Sequence, residues 1–581
     1  MRLILIPCLL LSLTPVSACA TPQDASQQDA PAGGITGTVI HHPDFASEFV
    51  DARNVDIWLP PDYEEGNARY PVLYMHDGQN LFDPSQSYIG VDWGVDEAMT
   101  DLFEGTGRSA IVVGIANTPK RLVEYMPRGM AEGWTDAHRR DVLGRRTLDD
   151  LASDAYLKFL VDELKPWVDA TYRTQPGPEH TMVAGSSLGG LISIYALTEY
   201  PDVFGVAGGI STHWLEVGDA ALEYLDATLP VPGTNRIYFD YGTETLDADY
   251  EPWHVRIETL MRGKGYGDSD LAVLKFGGHD HSERSWKRRM PSVLAWMMAP
   301  DLSTPVDGAR VLHDQAYLSS DDRGGRKVGT PGSEDARQYI REALEEAGVT
   351  GVSEQTFTFG GTQGTNVYGI VPGTDPAAGV IALTAHYDHL GIRGDEIYNG
   401  ADDNASGTAA ILGIARALVQ NPLRHTVLVA ALDAEESGLR GARALVEDLP
   451  VDEDRIILNL NLDMVSRSEA GELYATGARH YPALREILEP IVDGLPVALI
   501  FGHDQPGTGS DDWTNASDHA PFHQRGIPFL YFGVEDHPGY HAPSDVFEDT
   551  TPAFYLEAVA TIYEIMSTLD RELKGRVPGQ Q

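Results

Sequence analysis

Short, nearly continuous apolar runs alternate with helical patterns along the first half of the chain. Runs of this length are expected where helices cover both faces of a parallel sheet. Residues 35–298 are therefore predicted to form an α/β domain with a doubly wound sheet. The predicted strands lie at 72–75, 111–115, 182–184, 237–239 and 271–276.

A second series of such runs follows a break in the pattern. Residues 299–310, with prolines and a glycine among polar residues, are predicted to be a linker. An apolar stripe with helical spacing comes next, and we expect Ser333 and Gly348 to cap the two ends of that helix. Residues 311–575 are therefore predicted to form a second α/β sandwich. Its strands are expected at 380–385, 426–432, 456–462 and 527–532.

Residues 1–20 predict an export signal rather than a folded element, because an early Arg2 precedes an apolar stretch and small residues. Residues 16–19 resemble a bacterial lipobox, and cleavage there would leave Cys19 as the lipidated first residue. Ordinary signal-peptide cleavage would instead fall before Thr21. We favour the lipoprotein, because Cys19 is otherwise unexplained and residues 21–34 then form a polar tether. We therefore expect an exported protein, periplasmic or anchored to the outer membrane of a bacterium.

Chain length and net charge limit the number of domains and the classes of partner. A chain of 581 residues is several times longer than a domain of roughly 150 residues, so at least two domains are expected. The 42 basic and 87 acidic residues give a formal charge of −45. A field of that sign repels phosphate backbones, so we expect no nucleic-acid partner, and contact with a membrane only through the lipid anchor.

A serine stands at a predicted strand-to-helix turn in the first half. The pentapeptide Gly185-Ser186-Ser187-Leu188-Gly189 directly follows the strand at 182–184 and continues into a helical pattern. This is the arrangement of a nucleophile elbow, in which small flanking residues let strand and helix pass each other. Ser187 is therefore the candidate nucleophile. The backbone N–H groups of Leu188 and of Gln79, in the loop at 76–80, are the candidate oxyanion hole.

The acid and the base of a serine triad are predicted in two later loops. Asp247 and Glu244 follow the strand at 237–239, and His279 and His281 follow the strand at 271–276. The order serine, acid, histidine is that of α/β-hydrolases. The order alone leaves both acids and both histidines open.

The first half resembles the family that includes esterase D and the enterochelin esterases. The resemblance covers about residues 36–298 and implies an α/β-hydrolase fold, a small ester as substrate and no cofactor in this half. It implies Asp247 as the acid and His281 as the base, with Glu244 and His279 as alternatives. Its motifs are 73–80, Arg121-x-x-Glu124-Tyr125-x-Pro127, the serine elbow and His281-x-Glu283-x-x-Trp286.

Five groups of metal-binding residue types follow the predicted strands of the second half. Open α/β sheets bind ligands at the carboxyl ends of their strands. Nitrogen and oxygen donors suit zinc, and a shared carboxylate could hold two ions ~3.5–4 Å apart. The sequence therefore predicts a site for two cations. The groups are 386–388, 400–407, 434–438, 461–464 and 539–541.

This half resembles, over about residues 311–570, the di-zinc aminopeptidases and glutamate carboxypeptidase-like enzymes of metallopeptidase clan MH. The resemblance implies an α/β/α sandwich, a peptide substrate and two zinc ions. It also implies that Glu435 is the general base and that Asp388 orients His386. The ligands it implies are His386 and Asp463 for one zinc, Glu436 and His541 for the other, and Asp403 as the bridge.

The sequence thus predicts an exported bifunctional hydrolase, in which a serine esterase is fused to a di-zinc metallopeptidase of aminopeptidase type. Two alternatives stay open. The esterase-like half could be a non-catalytic binding module. The second half could instead resemble glutaminyl cyclase, which shares the fold but works with a single zinc.

Overall fold

Two eight-stranded sheets form the framework of the chain. The computed structural model describes residues 35–267, 269–298 and 304–579. The predicted export signal and Cys19 lie outside these residues. None of the helices in the described part of the chain is long and apolar enough to cross a bilayer.

The first sheet is built by the N-terminal half. Its strands are β1 (Thr38–Phe45), β2 (Arg53–Leu59), β3 (Val72–His76), β4 (Ile111–Ile115), β5 (Thr181–Ser186), β6 (Val206–Ile210), β7 (Arg236–Gly242) and β8 (Leu271–Phe276). Their order across the sheet is β1-β2-β4-β3-β5-β6-β7-β8. Strand β2 is antiparallel to β1 and β4, and the other neighbours are parallel. The carboxyl ends of β3 to β8 therefore lie along one edge, where ligands bind in such sheets.

Helices connect these strands. The central one, which follows β5, is apolar on all sides and buried, as expected for a helix inside a packed layer. The helices are α1 (Val95–Thr106), α2 (Arg121–Tyr125), α3 (Arg128–Ala131), α4 (Asp136–Leu143), α5 (Ser153–Lys158), α6 (Lys165–Thr171), α7 (Leu188–Glu199), α8 (Asp219–Thr228), α9 (Glu251–Gly263) and α10 (Glu283–Met298).

The second sheet is built by the C-terminal half. Its strands, together with the separate hairpin β12–β13, are β9 (Thr350–Phe359), β10 (Thr362–Val371), β11 (Val380–His386), β12 (Gly391–Arg393), β13 (Glu396–Tyr398), β14 (Thr426–Leu432), β15 (Ile456–Leu462), β16 (Glu472–Thr476), β17 (Ala498–Phe501) and β18 (Phe529–Gly533). The sheet order is β17-β16-β18-β15-β11-β14-β10-β9. The four central strands β18, β15, β11 and β14 are parallel, so their carboxyl ends meet at one edge. The predicted α/β fold class is confirmed in both halves.

The helix after the linker shows how its local sequence sets its ends. Thr330, not the predicted Ser333, is its N-cap, and the Thr330 hydroxyl accepts the backbone N–H of Ser333. Pro331 explains the difference, because proline favours the first helical position and so starts the helix earlier. Gly348, at φ 85°, follows the helix as predicted. The helices of this half are α11 (Gly308–Leu318), α12 (Pro331–Glu346), α13 (Gly407–Gln420), α14 (Arg440–Glu447), α15 (Pro482–Leu488), α16 (His519–Gln524) and α17 (Pro552–Glu572).

The two halves pack against each other through helices. Helix α17 contacts α1 and α10, and α11 contacts α10 and β8. One buried apolar cluster contains side chains of both halves, among them Trp286 and Tyr563. Helix α11 begins inside the predicted linker because Asp307 caps it, and the Asp307 carboxylate accepts the N–H of Arg310 over 3.1 Å. The domain boundaries at 298 and 311 stay predictions.

Candidate active sites

Ser187 lies at a strained turn between strand β5 and helix α7. Its backbone angles are φ 57° and ψ −121°, and such a conformation costs a non-glycine residue about 1–3 kcal/mol. The glycines make the turn possible, because a Cβ on Gly185 would lie 2.8 Å from the carbonyl carbon of Gly189. The N–H of Ser187 donates to the carbonyl oxygen of Ile210 over 2.8 Å. These features are those of a nucleophile elbow, as the pentapeptide predicts.

The two predicted oxyanion donors lie at the start of a helix and in a short 3₁₀ turn. Leu188 is the first residue of α7, so its N–H has no acceptor within the helix. Gln79 lies in a 3₁₀ turn over Gly78–Asn80, which follows β3. The preceding Asp77 accepts hydrogen bonds from Nε and Nη2 of Arg121 over 2.8 and 2.7 Å. The N–H groups of Leu188 and Gln79 stay the predicted oxyanion hole.

The structure pairs Asp247 with His281. Nδ1 of His281 lies 2.6 Å from Oδ1 of Asp247. The other oxygen of Asp247 accepts hydrogen bonds from the Ser211 hydroxyl over 2.6 Å and from the N–H of Gly242 over 2.8 Å. Burial alone would raise the pKa of Asp247, but the bonds from His281 and Ser211 hold it below its ordinary value. The buried carboxylate is therefore ionised beside the imidazole.

This contact favours Asp247 and His281 over the alternatives Glu244 and His279. The ring of His279 instead approaches Glu548 of the second half, with 3.0 Å between Nε2 and Oε1. The spacing of the two histidines could not reveal this difference.

A cleft of about 620 Å³ opens at Ser187. Met126 and Leu246 contribute apolar surface to it, and His213 contributes a polar group. Burial lowers the pKa of His213 to about 4, although its Nε2 contacts the carboxylate of Glu216. Its Nδ1 lies 2.5 Å from the hydroxyl of Tyr250. Sequence reasoning missed His213 and Tyr250, because neither belongs to a recognisable motif.

Three of the five predicted metal ligands meet at the carboxyl end of β11. His386 ends this strand, and its Nε2 lies 3.2 Å from Oδ1 of Asp463, which follows the neighbouring strand β15. The same nitrogen lies 3.4 Å from Oδ1 of Asp403, in the segment before α13. All three side chains are buried.

The other two predicted ligands meet at the second oxygen of Asp403. Nε2 of His541 lies 3.1 Å from Oδ2 of Asp403 and 3.4 Å from Oε2 of Glu436. The two oxygens of Asp403 thus contact different histidines, as expected of a carboxylate that bridges two ions. The structure therefore brings all five predicted ligands together.

A further histidine, which sequence reasoning missed, adjoins the second cluster. Nδ1 of His389 lies 2.8 Å from Oε1 of Glu436 and 3.7 Å from Oδ2 of Asp403. The approach lacks the alignment of a hydrogen bond, and neither ring nitrogen bonds to another described residue. The side chain of His389 is fully buried, whereas that of His541 is 41% exposed. The missed signal was the position of His389 three residues after the predicted ligand His386.

Glu435 lies next to the clusters, as its predicted role requires. Loss of hydration raises the pKa of Glu435 well above its usual value, and the carboxylate of Asp518 adds to the effect. A raised pKa suits a general base that works near neutral pH.

Asp388 contacts both the predicted ligand His386 and the predicted base Glu435. Its carboxylate accepts the backbone N–H of Glu435 over 2.8 Å. Nδ1 of His386 lies 3.1 Å from the main-chain carbonyl oxygen of Asp388 and 3.7 Å from its Oδ1. Asp388 thus holds the main chain of Glu435, and the orientation of His386 stays its predicted role.

A second carboxylate supports the bridge from the loop that carries His541. Asp545 accepts the backbone N–H groups of Asp402 and Asp403 over 2.9 and 3.0 Å. Nε2 of His537 lies 3.0 Å from Oδ2 of Asp402. Sequence reasoning missed Asp545 and His537, because the contacts join segments far apart along the chain.

The donor set fits two zinc ions. In each of two groups, donor atoms of three residues lie within 4.8 Å of one another, and Asp403 belongs to both groups. Buried carboxylates at such distances repel one another unless cations neutralise them. Imidazole and carboxylate donors are those of zinc sites in enzymes. The groups are His386, Asp403 and Asp463, and His389, Asp403 and Glu436.

Comparison with known families identifies each half separately. Residues 366–566 match the family model "Peptidase family M28". Residues 46–315 match the family model "Putative esterase". The chain joins an esterase-like half to an M28-peptidase-like half. Both resemblances inferred from the motifs are confirmed, and both families consist of hydrolases.

Individual relatives each match one half. The uncharacterized protein YbbA of Bacillus subtilis is 25% identical over 259 residues, which are 43% of this chain and 95% of that protein. Aminopeptidase YwaD of Bacillus subtilis is 31% identical over 278 residues, which are 43% of this chain and 56% of that protein. Esterase MT1326 of Mycobacterium tuberculosis is 24% identical over 209 residues, which are 33% of this chain and 40% of that protein. The chain thus spans about half the length of the latter two.

Proposed function

We propose that the chain is a bifunctional hydrolase, with a zinc-dependent aminopeptidase in the second half and a serine esterase in the first. The main observation behind the peptidase proposal is that each carboxylate oxygen of Asp403 contacts a different histidine. The match to the M28 family and the similarity to an aminopeptidase support this proposal.

In the peptidase half, the chain's own residues bind metal and move a proton. Zinc, when bound, polarises the carbonyl of the scissile peptide bond and lowers the pKa of water. Glu435 takes a proton from the attacking water and delivers it to the leaving amine. Asp388 keeps the backbone of Glu435 in place through its hydrogen bond. The ligands would be His386 and Asp463 for one ion, Glu436 and His541 for the other, and Asp403 for both.

In the esterase half, the proposed reaction uses the serine triad. Ser187 Oγ attacks the ester carbonyl carbon, and His281 takes the hydroxyl proton and returns it to the leaving alcohol. Asp247, already ionised, stabilises the protonated imidazole. The N–H groups of Leu188 and Gln79 stabilise the negative oxygen of the tetrahedral intermediate. A cleft of about 620 Å³ suits a small ester.

The peptidase proposal is tested by elemental analysis of purified protein beside hydrolysis of aminoacyl-anilides. We expect about two zinc ions per wild-type chain, because two clusters share one carboxylate. Asp403→Ala should lose both ions and the peptidase activity, whereas the exposed control Asp149→Ala should lose neither. A wild-type chain without metal would contradict the proposal. One zinc with cyclisation of N-terminal glutamine would favour the glutaminyl-cyclase alternative.

The esterase proposal is tested by a fluorophosphonate probe, which labels activated serines. We expect labelling of the wild type and none of Ser187→Ala. An unlabelled wild-type protein that still binds acyl esters would favour a binding module.

We also propose that the protein is exported and anchored by a lipid at Cys19. The expected result is that the wild type partitions with membranes and that Cys19→Ala releases it or blocks its processing. A mature N-terminus at Thr21 in mass spectrometry would contradict the anchor.

A further inference from the structure

The loop that carries His281 lies where the two halves meet. Strand β8 is an edge strand of the first sheet, and residues 277–282 connect it to α10. The opposing segment of the second half is the 3₁₀ turn Phe547–Asp549. This turn follows His541 and Asp545 along the same loop. One loop thus carries the predicted ligand His541 and faces the loop that carries His281.

A buried contact between the side chains of His279 and Glu548 joins the two loops. Nε2 of His279 lies 3.0 Å from Oε1 of Glu548, and the two side chains are 4% and 11% exposed. Burial alone would raise the pKa of Glu548, but the hydrogen bond with His279 holds it below its ordinary value. The other ring nitrogen of His279 has no hydrogen-bond partner among the described residues. The contact with Glu548 therefore fixes the orientation of this ring.

The main chain of His279 holds the loop of the catalytic acid. Its carbonyl oxygen accepts the N–H groups of Thr243 and Glu244 over 3.0 and 2.9 Å. The approach is tight, because a Cβ on Gly242 would lie 2.1 Å from that oxygen. These bonds set the position of the segment that leads to Asp247.

The catalytic base is tied to the same segment. The N–H of His281, two residues beyond His279, donates to the hydroxyl of Thr245 over 2.9 Å. The distance of 2.6 Å between His281 and Asp247 thus depends on two loops that His279 holds together. A shift of either loop would lengthen this contact.

We propose that Glu548, a residue of the peptidase-like half, is a positioning residue for the serine site. The contact of Glu548 with His279 fixes the relative positions of the loops that carry Asp247 and His281. The inference rests on the proposed esterase function. It means that the serine site is complete only when the second half is folded against the first.

A neighbouring contact provides a matched control. Nη2 of Arg288, on helix α10, lies 3.0 and 3.1 Å from the two carboxylate oxygens of Asp549. This pair crosses the same interface but is more exposed, and it does not involve the loop 277–282. If the interface only needed charge pairs, Asp549→Asn and Glu548→Ala would have equal effects.

The test measures kcat and KM for p-nitrophenyl acetate and the rate of fluorophosphonate labelling, all in the full-length chain. Glu548→Ala should lower kcat and the labelling rate on the order of tenfold or more, because small displacements of catalytic groups have effects of at least this size. KM should change less than kcat. Glu548→Gln keeps an oxygen that accepts from His279 and should recover most of the rate. Asp549→Asn should stay within about twofold of the wild type.

A double mutant separates the contact from general damage to folding. His279→Ala should lower kcat as Glu548→Ala does, and the double mutant should be no slower than either, because both changes remove one contact. Additive losses, an unchanged kcat in Glu548→Ala, or an equal loss in Asp549→Asn would each overturn the inference while the esterase function stands. A wild type that neither hydrolyses the ester nor reacts with the probe would overturn the esterase function, and the inference with it.

Discussion

Asp247 and Asp403 are both buried carboxylates in contact with histidine, yet their surroundings differ. Asp247 receives hydrogen bonds from the Ser211 hydroxyl and the Gly242 N–H in addition to its contact with His281. Asp403 lies between His386 and His541, in a cluster that also contains Glu436 and other acidic groups. The protein itself therefore satisfies the first carboxylate, whereas the second one needs cations.

The ionisation of the neighbouring groups shows the same contrast. The pKa of Asp247 lies below its ordinary value, although burial opposes this. Loss of hydration raises the pKa values of Glu435 and Asp388 well above their ordinary values. Contacts with histidines instead hold the pKa values of Glu436 and Asp463 below their ordinary values, although burial opposes this. The acidic groups of the metal cluster therefore differ in ionisation, and bound cations would favour the charged form of all of them. The serine site is thus expected to be complete without a cofactor, and the metal site to depend on one.

The largest expected effect tests the serine site, which is expected to need no metal. Ser187→Ala should lower ester hydrolysis at least about a thousandfold, because loss of the nucleophile disables the whole triad. Hydrolysis of aminoacyl-anilides by the same variant should equal that of the wild type. Rates for both substrates on one preparation check this. Full ester hydrolysis by Ser187→Ala would place that activity elsewhere in the chain.

The next effect separates chemistry from metal binding in the second half. Glu435→Gln preserves the size of the side chain but cannot accept a proton from water. Peptide hydrolysis should fall on the order of a hundredfold or more, while about two zinc ions stay bound. Elemental analysis beside the aminopeptidase assay measures both quantities. A variant with full peptidase activity would contradict the role of Glu435.

A smaller effect is expected from the histidine that the motifs do not include. His389→Ala removes the neighbour of Glu436 and Asp403 without removing any of the five predicted ligands. Residues that support metal ligands typically contribute about 10–100-fold to metal affinity. Titration of the metal-free protein with zinc should show one weakened site. The exposed His41→Ala, in the first half, is the matched control, and equal affinities in both variants would remove His389 from the site.

The sequence could predict the candidate site residues because they lie at or after the ends of buried strands. The proposed ligands follow buried strands such as Val380–His386 and Ile456–Leu462, whose continuous apolar runs are easy to recognise. Strand order then brings the carboxyl ends together without further information. Strand Val206–Ile210 was missed because two glycines interrupt its apolar run, and the edge strands were missed because they are partly exposed.

Contacts between distant segments could not be predicted. His279 and Glu548 are 269 residues apart along the chain, and no local pattern links them. The same holds for Asp545, which supports Asp403 from a later loop. One prediction from local sequence was wrong. Ser333 is a suitable N-cap residue, but Thr330 with Pro331 starts the helix earlier. Patterns therefore locate the reacting groups but not the residues that hold them in place.

The smallest expected effect is that of metal removal on ester hydrolysis. Chelation should abolish peptide hydrolysis, because the clustered carboxylates act through bound cations. It should leave kcat for p-nitrophenyl acetate within about twofold, since a serine triad operates without metal. The loop at 541–549 makes this a sharp test, because it carries both the proposed ligand His541 and Glu548, which contacts His279. If the metal fixed the whole loop, chelation would release Glu548 and slow the esterase as Glu548→Ala does.

We expect no such loss, because Glu548 is held by His279 itself and lies beyond Asp545, whose bonds are to main-chain N–H groups. A clear fall in ester hydrolysis on chelation, restored by zinc, would show that the two sites are coupled and that the serine site depends on the bound metal.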